Sequence, residues 1–427
     1  MAEWKTIDEL FDYGKGTLQS SKCSPGKYTF ITAAEEWKTH EIFTHDCEAL
    51  IFAMAASGSL GRTHYVNGKF ISSDLCFILT PKKGLRLDLT FYYRLFNFLR
   101  ADIVKKTATG TSKLAINQTN FGAYRLPYFE YEHQLSFRGK IETITGINEA
   151  FSKGMDYQLS LLAKLRQAML QEAIEGKLTA KWQKYNPELI SGENHASKLL
   201  ERIRAEKDSL LKEVKVRKEK PLSPITDDEK PFILPEGWAW CRLGEIGSTN
   251  IGLTYSPNDI SDSGIPVLRS NNIQNGTIDL NNLVRVKMEI NGSQYIRKGD
   301  ILICARNGSK ALVGKAAQIK NISESMAFGA FMAIFRSRYN GYIEIFLQSP
   351  IFRRLLDKVN TMTINQLTQS NLKNTIIPFP PSDEQQAIVE WVDKLKAVID
   401  EMEKQVTKRK YQSEMLMQSV LREAFAG

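Results

Sequence analysis

Residues 382–406 read SDEQQAIVEWVDKLKAVIDEMEKQV, in which Ile388, Val392, Leu395, Ile399, Met402 and Val406 recur at steps of 4, 3, 4, 3 and 4. Such a seam is narrower than the apolar stripe of an ordinary surface helix, so it predicts a long helix paired with another. Pro380-Pro381 and the Ser382-x-x-Gln385 spacing predict a capping box at its start. The partner lies in the same chain. Phe137, Ile141, Ile144, Asn148, Phe151 and Met155 repeat the spacing 251 residues earlier, with Asn148 where the later helix has Ile399. A lone seam Asn sets register at a cost in stability. Gly139, Gly146 and Gly154 each cost up to about 1 kcal/mol, so the earlier helix is expected to be the weaker one. Helices of about 40 residues would span roughly 60 Å, enough to hold two globular heads apart.

The offset extends well beyond the seam. Setting Ile116–Gly176 against Leu367–Gly427 without a gap gives eleven identities in 61 positions, among them Pro127/Pro378, Gln134/Gln385 and Glu172/Glu423. The chain therefore reads as two copies of one unit. Further upstream the match continues with insertions: Trp4–Leu10 answers Trp240–Ile246, and Gly26–Phe30 answers Gly264–Leu268. Each copy has a variable front and a length-locked helical back.

The fronts read as mixed α/β with short strands. Ile301–Ala305, then Arg306–Lys310, then an apolar run to Ile319 spell strand, loop, strand; Leu50–Met54, Ala55–Ser59 and Gly61–Val66 do the same. Between the copies, Gly192–Pro231 holds a charged amphipathic helix (Leu199–Val216) and a connector beginning at Lys215. The boundaries expected are 1–132 for the first front, 133–231 for the central helical region and linker, 232–381 for the second front, and 382–427 for the last helix.

Charge and chemistry narrow the function. The net charge is +9, and residues 232–381 carry 16 basic against 10 acidic residues, whereas 382–427 carry 7 against 9. That favours heads on a polyanion, nucleic acid before membrane, and helices on protein. The longest uninterrupted apolar run, Ala49–Ala56, is far short of the about 20 residues a membrane span needs. With no signal-peptide pattern and five scattered cysteines, a cytoplasmic location is expected. Gly308–Ala316 misses the phosphate-loop spacing and its hydroxyl, the five histidines form no i,i+4 pair, and there is no Cys-x-x-Cys. No catalytic, cofactor-binding or metal-binding residue is assigned.

Leu234-Pro235-Glu236-Gly237-Trp238, Lys298-Gly299-Asp300-Ile301-Leu302, Leu367 through Pro380-Pro381-x-x-Glu384-Gln385, and Met169–Leu178 together resemble the DNA-specificity (S) subunit of type I restriction-modification enzymes. The first front departs from that pattern, lacking the Leu-Pro-x-Gly-Trp segment and carrying Tyr128-Phe129-Glu130 in place of the Pro-rich one. The resemblance implies an α+β fold. Two mixed α/β target recognition domains would each read one half-site, joined by two long helices forming an antiparallel coiled coil in a pseudo-twofold internal repeat. It implies a non-enzymatic chain working with double-stranded DNA, two modification subunits that methylate adenine, and restriction subunits. S-adenosylmethionine, ATP and Mg are expected on those partners.

Arg suits guanine O6/N7, Asn suits adenine N6/N7, and small side chains permit close approach. On that basis the candidate DNA contacts are Ser57, Ser59, Arg62, Lys105, Lys106, Thr109, Thr111 and Lys113 in the first front, and Arg269, Asn271, Asn272, Arg306, Asn307, Ser309 and Lys310 in the second. The apolar sets Met169, Leu170, Ala173, Ile174 and Val420, Leu421, Ala424, Phe425 either dock partner chains or close the helix pair internally. The rival from another class is a coiled-coil scaffold that reads no DNA.

Overall fold

The computed structural model describes residues 3–56, 58–110, 114–214, 221–359 and 366–426. The chain divides into two compact units, Met1–Tyr157 with Val406–Gly427, and Gln158–Gln405. Each unit takes a head and part of each long helix, Tyr131–Ile174 (44 residues) and Ser382–Ala426 (45 residues).

In the first unit, Phe11–Lys15, Cys76–Pro81, His45–Ala53, Thr63–Ser72, Tyr28–Ile31 and Lys38–His40 form, in that spatial order, one six-stranded sheet. Its neighbours are antiparallel except Tyr28–Ile31, which runs parallel to Thr63–Ser72. The helix Leu89–Phe98 is capped by Asp88, whose carboxylate accepts from Thr90 N and Phe91 N. Its apolar side joins Phe11, Phe52, Phe77 and Phe121 in an aromatic core. The far end of the last helix closes that core: Phe425 is buried against Phe91 and Phe98, 5.5 and 5.2 Å between ring centroids.

The second unit splits its sheet. Ser248–Ile251, Met332–Arg336, Ile301–Cys304 and Ala316–Gln318 form a four-stranded antiparallel sheet, while Val284–Val286, Ile260–Leu268 and Ala327–Phe328 form a three-stranded one. Met169, Leu170, Ala173 and Ile174 are buried in this unit's core with Ile388, Val392 and Ile399. Met169, Leu170, Ala173 and Ile174 thus close onto their own unit's core, and Phe425 with the partly buried Leu421 does the same in the first unit; Val420 stays partly exposed, and the Ala424 side chain lies outside the described residues.

The duplication is visible hydrogen bond by hydrogen bond. Glu3–Thr6 pairs with Arg125–Tyr128 as Ala239–Arg242 pairs with Ile376–Phe379. Ile7 N donates to Tyr124 O as Leu243 N does to Thr375 O. Gln134 Nε2 donates to Phe129 O as Gln385 Nε2 does to Pro380 O, at 2.6 and 2.8 Å. The front strands need a one-residue correction: Ser73 N donates to Ile31 O where Gly329 N donates to Leu268 O, so Ile31 rather than Phe30 answers Leu268.

Within each unit the long helices run antiparallel. In the first, Ser413 Oγ donates to Asn148 Oδ1 (2.7 Å) and Lys410 pairs with Asp156 (2.6 Å); in the second, Arg166 meets Asp400 and Glu403 at 2.6 and 3.1 Å. Ile141, Met155, Ile388, Val392, Ile399 and Val406 are buried, and Phe137, Ile144, Asn148 and Leu395 partly so. Phe151 and Met402 are not in the seam; each is 48 % exposed. Ser152 and Glu403 take their places, so the steps run 148, 152, 155 and 399, 403, 406, the same extra residue at equivalent points. An ideal helix drifts from a strict seven-residue repeat, and a step of 4 following a 4 corrects the drift. The capping box also differs: the helix already includes Ser382, and Gln385 turns back to the Pro380 carbonyl. No described helix is long and apolar enough to cross a membrane.

Candidate nucleic-acid interface

The hairpin Ile301–Cys304 and Ala316–Gln318 presents the loop beginning at Ala305. Its backbone is held from two sides. Ala305 N and Arg306 N both donate to Phe331 O (2.9 and 3.0 Å), Leu367 N donates to Ala305 O (2.7 Å), and Arg306 bridges to Gln366. The Arg306 side chain is exposed, its guanidinium 5.6 Å from the centre of the Phe331 ring, which is itself 61 % exposed. Beside them a cleft of about 320 Å³ is lined by Ile251, Thr254, Gln366 and Thr368.

Asn307 ties this loop to a second one. Its Nδ2 donates to Ser270 Oγ (3.3 Å) and its Oδ1 accepts from Ser309 N (3.0 Å). Asn271 is exposed on the short 3-10 turn Ser270–Asn272, so Arg306, Asn307, Ser309 and Asn271 share one surface. Asn272 does not belong to it. It is fully buried, accepting from Arg269 N and donating to the carbonyls of Asp279 and Asn281, which makes it a turn-closing residue rather than a base reader. Arg269 is half-buried, with its Nε shielded from solvent. Lys310 reaches back to Asp357 at 3.2 Å, an exposed pair of small energetic weight.

The first head repeats the clamp. Met54 N and Ala55 N both donate to Leu75 O, Ile116 N donates to Met54 O, and Ala55 bridges to Ala115. The following loop turns through Ala56 at φ +137° and is pinned by two arginines. Arg62 donates to Ser59 Oγ and Ala33 O (both 3.2 Å), and Arg100 donates to Gly58 O and Leu60 O. Arg62 is thus a loop fastener, and Ser59 is its acceptor. Arg100 carries no motif signal; only the fold, which brings the end of a helix under a loop about 40 residues earlier, reveals it. Thr109 is exposed in the short strand Ala108–Thr109, which pairs with Ala115–Ile116 and so lies beside Ala55. Lys105 is exposed on the preceding helix, while Lys106 pairs with Asp102 at 2.8 Å. Ser57, Thr111 and Lys113 fall outside the described residues. Among the described residues no group of three His, Cys, Asp or Glu is placed to hold a metal ion.

Residues 1–134 and 235–409 match the family described as the type I restriction modification DNA specificity domain. The chain is 32 % identical over 241 residues to the type I restriction enzyme EcoAI specificity subunit of Escherichia coli, covering 54 % of this chain and 39 % of that one. It is 25 % identical over 440 residues to the Escherichia coli EcoDI specificity subunit, covering all of this chain and 88 % of the relative. With EcoEI, at 32 % identity, it again spans about two-fifths of the relative's length (41 %). A solved chain reported under complex assembly and conformational transition of the type I R-M system shares the fold, with TM-score 0.62 at 17 % identity over 99 % of this chain and 97 % of that one.

Proposed function

Because this chain belongs to the type I restriction-modification DNA-specificity family, we propose that it is the non-catalytic subunit that selects a bipartite, asymmetric DNA site. One observation carries the reading: two heads hold an equivalent hairpin tip by the same backbone bonds yet arm it with different side chains, Arg306 against Ala55. A conserved frame with divergent tips suits two unlike half-sites read by one chain. In this reading the paired helices set the spacing between half-sites and hold two modification subunits, which methylate adenine with S-adenosylmethionine. Restriction subunits supply ATP- and Mg-dependent chemistry, and the whole assembly works on double-stranded DNA in the cytoplasm.

The experiment is base-resolved mapping of adenine methylation in cells expressing this chain with its modification subunit, before and after one head is exchanged. The expected outcome is a two-part motif of which one half changes. Methylation without a motif, or affinity for random duplex that does not fall with added salt, would favour a scaffold that grips no phosphates.

A further inference from the structure

We propose that Arg306, Gln366 and Phe331 form the base-reading slot of the second head, that Ala55, Ala115 and Leu75 form the same slot in the first, and that the second slot takes a guanine edge while the first takes a thymine methyl. The proposal rests on the DNA-reading function above and deepens it.

The equivalence is one of backbone position. Ala55 and Arg306, and likewise Ala115 and Gln366, are each 251 residues apart, and the two members of each head are joined by the same isolated antiparallel bridge. The carbonyls of Leu75 and Phe331 accept the paired amides of Met54 and Ala55, and of Ala305 and Arg306. Ile116 N to Met54 O and Leu367 N to Ala305 O complete the match at 2.8 and 2.7 Å. With the frame held in common, the side chains carry the difference.

In the second head two of those side chains, Arg306 and Gln366, are polar, and Arg306 and Phe331 are exposed. Two other arginines of this head are held by carboxylates at hydrogen-bond distance, Arg285 by Glu324 and Arg336 by Asp300, and Arg353 donates to the carbonyls of Val313 and Lys310. Among the described residues the Arg306 guanidinium meets no carboxylate and lies near the exposed Phe331 ring. An aromatic face beside a planar guanidinium limits its freedom while leaving the donor fork open, the arrangement that suits the O6 and N7 acceptors of guanine. In the first head the corresponding groups are two methyls and Leu75, 39 % exposed, which offer a thymine methyl apolar contact and no hydrogen bond.

The test uses the chain complexed with its modification subunit, with the methylated motif as readout for wild type, Arg306→Ala, Arg306→Gln and Ala55→Arg. Expected is a wild-type motif with a guanine in one half-site. Arg306→Ala relaxes that position by on the order of tenfold or more, Arg306→Gln shifts it toward adenine, and Ala55→Arg alters only the other half-site. A merely structural role would not create a new base preference. If all three variants methylate the wild-type motif, the slot assignment is overturned while DNA reading stands. If wild type directs no motif, the reading beneath it falls as well.

Discussion

The Trp238 indole Nε1 donates a 2.8 Å hydrogen bond to the carboxylate of Glu384, a fully buried side chain that also accepts from Thr179 Oγ1 (2.6 Å) and Gln183 Nε2 (2.7 Å). One carboxylate thus joins the start of the C-terminal helix, the segment after the central helix, and the Leu-Pro-Glu-Gly-Trp segment. Trp238→Phe keeps most of the ring's packing but removes one donor from a buried acceptor, at a cost of about 1–3 kcal/mol. Chemical denaturation of the full chain measures it.

The same carboxyl has a pH signature. Burial raises its pKa above the ordinary 4.5, against the three donors that lower it. A raised carboxyl binds its proton more tightly folded than unfolded. Its contribution is therefore fully present below pH 4.5 and is lost as pH rises through the folded value. Glu384→Gln lacks this titration, so its unfolding midpoint should gain on wild type as pH rises from 4.5 toward neutrality. A constant difference across that range would show that burial does not govern this group.

Two glycines should respond with opposite sign. Gly176 ends the central helix at φ +73°, with Lys177 N bonded to Glu172 O, and a Cβ there would lie 2.5 Å from Pro235 Cγ. Gly176→Ala should cost about 2–4 kcal/mol from backbone strain and overpacking together. Gly154 lies within the helix with open space where a Cβ would go, so Gly154→Ala should stabilise by up to about 1 kcal/mol. Thermal melts of the two variants decide both.

Much of this fold was legible because a constant offset of 251 residues survives translation into three dimensions, down to Gln134 and Gln385 each bonding a carbonyl five residues back. What escaped had physical causes. A strict heptad laid on a 3.6-residue helix drifts, which misplaced Phe151 and Met402. The role of Asn272 depends on carbonyls that only the folded turn delivers, and that of Arg100 on a loop far away in sequence. Apolar residues such as Met169 and Ile174 look the same whether they face a partner or their own core, so periodicity alone left their orientation open.

The revised seam makes the sharpest mechanical prediction. Ile399 is 3 % exposed and Met402 is 48 % exposed, although both sit on the same heptad by sequence. Ile399→Ala should cost about 2–5 kcal/mol, the usual penalty for emptying a core site. Met402→Ala should stay within roughly 0.5 kcal/mol, as surface changes do. Equal losses would restore the strict repeat. The polar seam contact is tested alongside by an Asn148→Ala, Ser413→Ala cycle, with an expected coupling of about 1 kcal/mol. Because their 2.7 Å bond joins the helices at one fixed stagger, removing it should weaken register as well as stability, read as faster amide exchange on both helices of that unit.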